Sequence, residues 1–253
     1  MKRAKILSLV LIVLTLGLFS CQKDNTVNTG PSSLGVKIQA VNKSYSLPVT
    51  SDGTKSALAT TSTIDWDSAQ MVVSTIKFEA RLKSLVTHQD SIEISYKWNG
   101  PQVTDLMDTT ITFGDFVLQP GFYDEMVIYV SGSRKDAGDN PVFYMHGTYT
   151  NDSQASVPVM VKVNEDVLFK TTQDSIEVTG ESVDFTSYVQ LYLDQLLAGI
   201  SPSAFDNAKL SDGIIVISEE SNRDIYRTIL RNLMMRHHHC YYKYKYHYWG
   251  DHH

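Results

Sequence analysis

The chain reads as mainly β: an antiparallel β-sandwich, followed by a C-terminal helical segment and a His/Tyr-rich tail. Three observations predict this. Apolar residues recur with a period of two from Leu34 to about Thr179, clusters of Gly, Pro, Asn and Asp cut that stretch into short runs, and after Glu181 the apolar spacing changes to three and four. With 253 residues, 42% of them hydrophobic and 20% charged, the chain can build one good-sized core with an appendage, and wholesale disorder is excluded.

The first element is a targeting segment. Lys2, Arg3 and Lys5 precede an apolar run from Ile6 to Phe19, then Ser20 and Cys21. The run is about 14 residues, short for a ~30 Å hydrocarbon core and of the length of a signal-peptide apolar region. Leu18-Phe19-Ser20-Cys21 resembles the lipobox of bacterial lipoproteins, with a small residue before the cysteine and Phe19 bulkier than the pattern usually takes. The resemblance implies a signal peptide over 1–20, cleavage before Cys21 and lipid on that cysteine. Gln22-Lys23-Asp24-Asn25 is similar to the short signals that send Bacteroidetes-type lipoproteins to the outer membrane, so an outer-membrane anchor facing the periplasm or the exterior is expected. Residues 21–33 then form the lipidated cysteine and a polar tether containing Gly30-Pro31.

The domain from 34 to 180 is read as the sandwich. Val36, Ile38 and Ala40 alternate with Lys37, Gln39 and Val41, and Ile92, Ile94 and Tyr96 alternate with Glu93, Ser95 and Lys97. Met71–Ala80 is rich in β-branched residues. Further strands are expected at Thr109–Val117, Met126–Val130, Val142–Tyr149, Val157–Val163 and Ser175–Val178, with turns at Asn99-Gly100-Pro101, Gln119-Pro120-Gly121 and Lys135–Pro141.

The early Trp66-Asp67, the strand Ser74–Ala80, Trp98-Asn99-Gly100-Pro101, Asp105-Leu106-Met107 and Leu118-Gln119-Pro120-Gly121-Phe122-Tyr123-Asp124-Glu125 together resemble an uncharacterised β-sandwich domain of Bacteroidetes-type lipoproteins. About half the chain carries the likeness. It implies a fold and a location, and it brings no catalytic residues with it.

Residues 181–235 are expected to be helical. Tyr188, Leu191, Tyr192, Gln195 and Leu196 fall at three-and-four spacing, ended by Gly199 and Pro202. After Ile214–Ile217, Ser221 and Asp224 resemble a capping box, and Ile225, Ile229 and Leu233 form one apolar stripe.

The tail, 236–253, holds six of the eight histidines: His237, His238, His239, His247, His252 and His253. Cys240 lies beside the first cluster, as do Met234 and Met235. With Cys21 lipidated, Cys240 has no disulfide partner in the chain. Imidazole, thiolate and thioether bind copper, nickel and zinc, so the tail is a candidate site for one of these ions, and no resident cofactor is required. Tyr242, Tyr244, Tyr246 and Tyr248 alternate with Lys243, Lys245, His247 and Trp249, which is strand period. If the tail is extended, His239 and His252 lie about 43 Å apart and one ion does not bridge both clusters; either the tail folds back or there are separate weak sites. The other reading of this pattern is a strand that pairs with the protein's own sheet or a partner's, or a basic aromatic surface for lipid headgroups or polysaccharide.

The formal charge is −6, and loss of Lys2, Arg3 and Lys5 with the leader lowers it to −9. That balance argues against nucleic acid as a partner. Ser74-x-x-Lys77 has the spacing of a nucleophile motif but lies in a strand-patterned run. Asp136, Asp139 and Asn140 read as a polar turn, and His88 and His146 stand singly. Gly-x-Ser-x-Gly, His-Glu-x-x-His and phosphate-loop patterns are missing. The expectation is a non-enzymatic, membrane-anchored binding protein that captures a metal ion through its tail, or else a structural or adhesive surface protein.

Overall fold

The computed structural model describes residues 31–47, 61–89, 91–108, 110–179, 182–235 and 239–246, the last as backbone. In chain order the elements are β1 (Ser32–Val41), β2 (Ser44–Ser46), β3 (Thr63–Lys83), β4 (Ile92–Asp105), β5 (Phe113–Leu118), β6 (Gly121–Gly132), β7 (Phe143–Thr150), β8 (Ser156–Val163), β9 (Val167–Gln173), β10 (Ile176–Val178) and β11 (Val183–Tyr192). Then follow α1 (Leu193–Leu196), α2 (Pro202–Asp206), β12 (Leu210–Ser211), β13 (Ile214–Ile217), α3 (Arg223–Met235) and β14 (His239–Tyr246). They form two sheets. The small one has the order β14-β11-β1-β5; the large one runs β10-β6-β3-β7-β8-β13-β12, with β2 and β4 also on β3 and β9 on β6. All ladders are antiparallel except β1 with β11 and β8 with β13.

β3 is the spine of the large sheet. Its 21 residues would span about 70 Å if straight. Its first half pairs with β7 and its second half with β6, and β4 lies along the opposite edge. The buried positions change parity along it: Ile64 and Trp66, then Ala69, Met71 and Val73, then Ile76, Phe78, Ala80 and Leu82. An unbroken period of two cannot do that, because one extra residue turns every later side chain to the other face. Asp67 is the extra residue at the first change, where the register to β7 shifts between Trp66 and Ser68. At the second change Met71–Ser74 are all buried, so the strand is covered on both faces where it bends. A Cβ on Gly132 would lie 2.6 Å from the Val72 carbonyl oxygen, and one on Gly100 would lie 2.4 Å from that of Val73. Glycine on both flanking strands lets backbone approach backbone there.

Aromatic rings join the sheets. Phe78 on β3 stacks with Tyr96 on β4 at 6.1 Å between centroids, Tyr96 stacks with Phe116 on β5 at 5.6 Å, and Trp98 meets Phe113 edge-on at 4.9 Å. Such pairs add roughly 0.5–1.5 kcal/mol each to the burial of their area. The chain steps from the small sheet to the large one between Leu118 and Gly121. The hydroxyl of fully buried Tyr123 clamps that corner, accepting from Gln119 N–H and donating to Gln119 C=O, both at 2.9 Å.

The sandwich agrees with the pattern in the sequence; several details differ. The helix expected to open near Tyr188 is strand until Tyr192. Val183, Phe185, Ser187, Val189 and Leu191 are buried in strict alternation, and parallel pairing with β1 supplies the backbone bonds. Only Leu193–Leu196 of that segment is helical. Asn99-Gly100-Pro101 is no chain reversal but an irregularity within β4, where two residues stand against one of β3. β9 was not foreseen, and β1 begins at Ser32, inside the expected tether. Ser221 does not cap α3: the helix begins at Arg223, and the Ser221 hydroxyl is buried without a partner among the described residues. Asn222, at φ 51°, turns the chain instead, its amide binding Lys209 and Val216 backbone. The apolar stripe of α3 is as expected, with Ile225, Ile229 and Leu233 buried. Asn232 donates from α3 to the Leu196 and Ala198 carbonyls, satisfying acceptors that the end of α1 leaves open.

Gly132→Ala is expected to destabilise the fold by about 3 kcal/mol, roughly 6–12 °C in Tm, because the Cβ meets backbone. Gly138→Ala, at φ 60° in open space, should cost only about 1 kcal/mol. Equal losses in thermal unfolding would contradict the bend as described. Burial raises the Tyr123 and Tyr149 phenols to about 12, and that of Tyr226 upward as well. The folded state therefore holds these protons more tightly than the unfolded chain. Stability should be intact below pH 10 and fall between pH 10 and 12. Tyr123→Phe should lower Tm at pH 8 and make the alkaline decline shallower in a pH series of unfolding curves.

Candidate functional site

Cys21, His237, His238, His247, His252 and His253 lie outside the described residues. His239 and Cys240 are the first two residues of β14, which runs antiparallel along β11 from Gln190↔His239 to Val183↔Tyr246. Cys240, Tyr242, Tyr244 and Tyr246 stand opposite Val189, Ser187, Phe185 and Val183, all buried positions. His239, Tyr241, Lys243 and Lys245 stand opposite Gln190, Tyr188, Thr186 and Asp184. The alternation of the tail thus matches the alternation of β11. Backbone of the tail is committed to a ladder, and β14 is the edge of the small sheet. Among the described residues no three His, Cys, Asp or Glu side chains gather closely enough to hold a metal.

The secondary candidates resolve into structural contacts. Ser74 is buried and accepts from Ser133 N–H at 2.9 Å, whereas Lys77 lies on the exposed face and pairs with Glu79. The Ser-x-x-Lys pair is therefore divided between faces. The Lys77 ammonium is held above its ordinary value by the hydrogen bond to Glu79, and the Glu79 carboxyl below its own by the same bond. In the turn after β6, Arg134 donates to the Gly138 and Asn140 carbonyls at 2.8 and 3.2 Å, so a guanidinium already occupies those oxygens. His88 packs on Phe122 at 4.6 Å. His146 is not alone: its Nδ1 lies 2.8 Å from one carboxylate oxygen of Asp67 and 3.1 Å from the other. The bulge at Asp67 brings that carboxylate to β7, and nothing in the local sequence announces it.

A further candidate surface is the outer face of four adjacent strands, β4-β3-β6-β9. Two shallow depressions share Glu79 there. One, about 470 Å³, is lined by Thr75, Lys77, Lys97, Tyr129, Ser131 and Leu168 with Glu79; the other, about 410 Å³, by Arg81, Glu93, Ser95, Glu125 and neighbouring residues. Cross-strand register sets Lys97 opposite Lys77, Lys77 opposite Tyr129 and Tyr129 opposite Lys170. The Lys170 ammonium lies 5.7 Å from the Tyr129 ring centre. Thr75 and Ser131 hydroxyls bond each other at 2.7 Å, and Arg81 pairs with Glu125 at 2.8 Å. The face is open and polar, suited to holding a ligand by charge and hydroxyl contacts. Sequence reading missed it because its residues come from four strands whose pairing no local pattern specifies.

No protein-family model, no curated protein and no solved structure matches the chain.

Proposed function

We propose that the chain is an exported, lipid-anchored binding protein of the outer membrane, structural or adhesive in role and without catalysis, whose C-terminal strand is part of its own sandwich. The observation that supports this best is the placing of the first and last described strands in one small sheet. Ser33 near the start of β1 stands beside Asp184, and Asp184 beside Lys245 near the end of β14. Two strand steps are about 10 Å. The chain thus leaves β14 close to where it enters from the expected tether. Residues 22–31 reach at most about 35 Å, so lipid on Cys21 would turn that pole of the sheet toward the membrane. The face of β4-β3-β6-β9 supplies a binding surface, and β14, the outermost strand of the small sheet among the described residues, runs close to β9.

Capture of copper, nickel or zinc is the second reading, and the density of donors at 234–240 favours it. β14 runs extended between the two histidine groups, with His237–Cys240 at one end and His247, His252 and His253 beyond the other. Its eight residues span about 26 Å. Binding by either group would weaken below about pH 6 as imidazoles protonate.

Three measurements test these readings. Cys21→Ser should move the protein from the membrane fraction to the soluble exported fraction and abolish fatty-acid labelling; unchanged membrane association would refute the anchor. Truncation after Met235 should lower Tm by roughly 10 °C through loss of the β11–β14 ladder, and should promote self-association through the bared edge of β11. An unchanged Tm would remove the tail's structural role. Calorimetric titration of both forms with Cu, Ni and Zn decides the second reading: micromolar binding lost on truncation supports it, and equal weak binding excludes it.

A further inference from the structure

The cationic row across the large sheet carries an inference of its own. Lys97, Lys77, Tyr129 and Lys170 occupy four adjacent strands at matched register. The row is about 14 Å long at ~4.8 Å per strand step. Placing Lys77 directly opposite Lys97 opposes folding, since like charges across a ladder repel. Glu79 offsets only part of this: one carboxylate pairs with Lys77, bonds the Tyr129 hydroxyl and lies close enough to Lys170 to feel its charge, against three ammonium groups, and exposed Lys97 and Lys170 form no ion pair within 4.0 Å among the described residues. The charge excess is local, in a chain that is acidic as a whole.

The next row adds hydroxyl groups, with Thr75 and Ser131 at 2.7 Å, and Leu168, half exposed, forms an apolar rim. These groups border the 470 Å³ depression. Cations for carboxylates, hydroxyls for hydroxyls and an apolar rim form a set that fits a sugar chain bearing acid groups. An acidic peptide is a poorer fit. Along this stretch β3 and β6 are paired on both edges, so the middle of the sheet offers no free backbone groups for strand addition.

We propose that the outer face of β4-β3-β6-β9 binds an acidic polysaccharide, its carboxylates held by Lys97, Lys77 and Lys170 and its hydroxyls met by Thr75 and Ser131. The proposal deepens the binding reading above and depends on neither the tail nor the lipid; fractionation of Cys21→Ser tests the anchor separately.

The test is calorimetric titration of the full chain in detergent with polygalacturonate, beside neutral dextran and polyglutamate. Polygalacturonate should bind, more weakly as salt rises from 50 to 500 mM, and dextran should not. Lys97→Gln and Lys170→Gln should each weaken binding by roughly tenfold without lowering Tm, and Lys135→Gln, in the turn after β6, should leave it intact. No binding of polygalacturonate would overturn the proposal. So would equal binding by the Lys97→Gln/Lys170→Gln double variant, or polyglutamate binding as tightly as polygalacturonate.

Discussion

Backbone pairing along β3 is the constraint on which the other elements depend. A strand of 21 residues in the middle of a sheet must satisfy donors and acceptors on both edges throughout its length. It does so by changing partners, from β7 to β6, at a bend that Gly100 and Gly132 permit. The same bend fixes where β4 lies, and β4 carries Tyr96 and Trp98, the rings that reach Phe116 and Phe113 in the other sheet. Remove the close approach at the bend and the aromatic seam between the layers loses its alignment.

The small sheet is held by a different means. β1 and β11 come from opposite ends of the chain and pair in parallel over nine positions, and the Ser33 hydroxyl donates to Asp184 at 2.8 Å beside that ladder. β14 then adds to β11, so the strands nearest the two termini flank one central strand. The start of β1 and the end of β14 lie at the same pole of the small sheet, while the lysine row lies on the large one.

Much of this fold was legible in advance. The alternation of Val36, Ile38 and Ala40, the β-branched run of Met71–Ala80 and the turn at Gln119-Pro120-Gly121 each encode a local preference that survives in the structure. The misreadings have physical causes. Tyr188, Leu191, Tyr192 and Leu196 satisfy a helical spacing, yet Phe185, Val189 and Leu191 satisfy a strand spacing just as well, and only the presence of β1 alongside decides between them. Ser221 and Asp224 have the spacing of a cap, but Asn222 is held in a left-handed conformation by Lys209 and Val216, which moves the helix start.

By itself the sequence determined the β-sandwich class, the apolar stripe of α3 and the alternation across β14, because each is written in neighbouring residues with a fixed period. Tertiary structure alone decided the partner exchange of β3, the pairing of His146 with Asp67, the docking of β14 on β11 and the row of Lys97, Lys77, Tyr129 and Lys170. Those features depend on which strands lie side by side and in what register. Register is set by burial and backbone pairing across the whole molecule, and no stretch of neighbouring residues contains it.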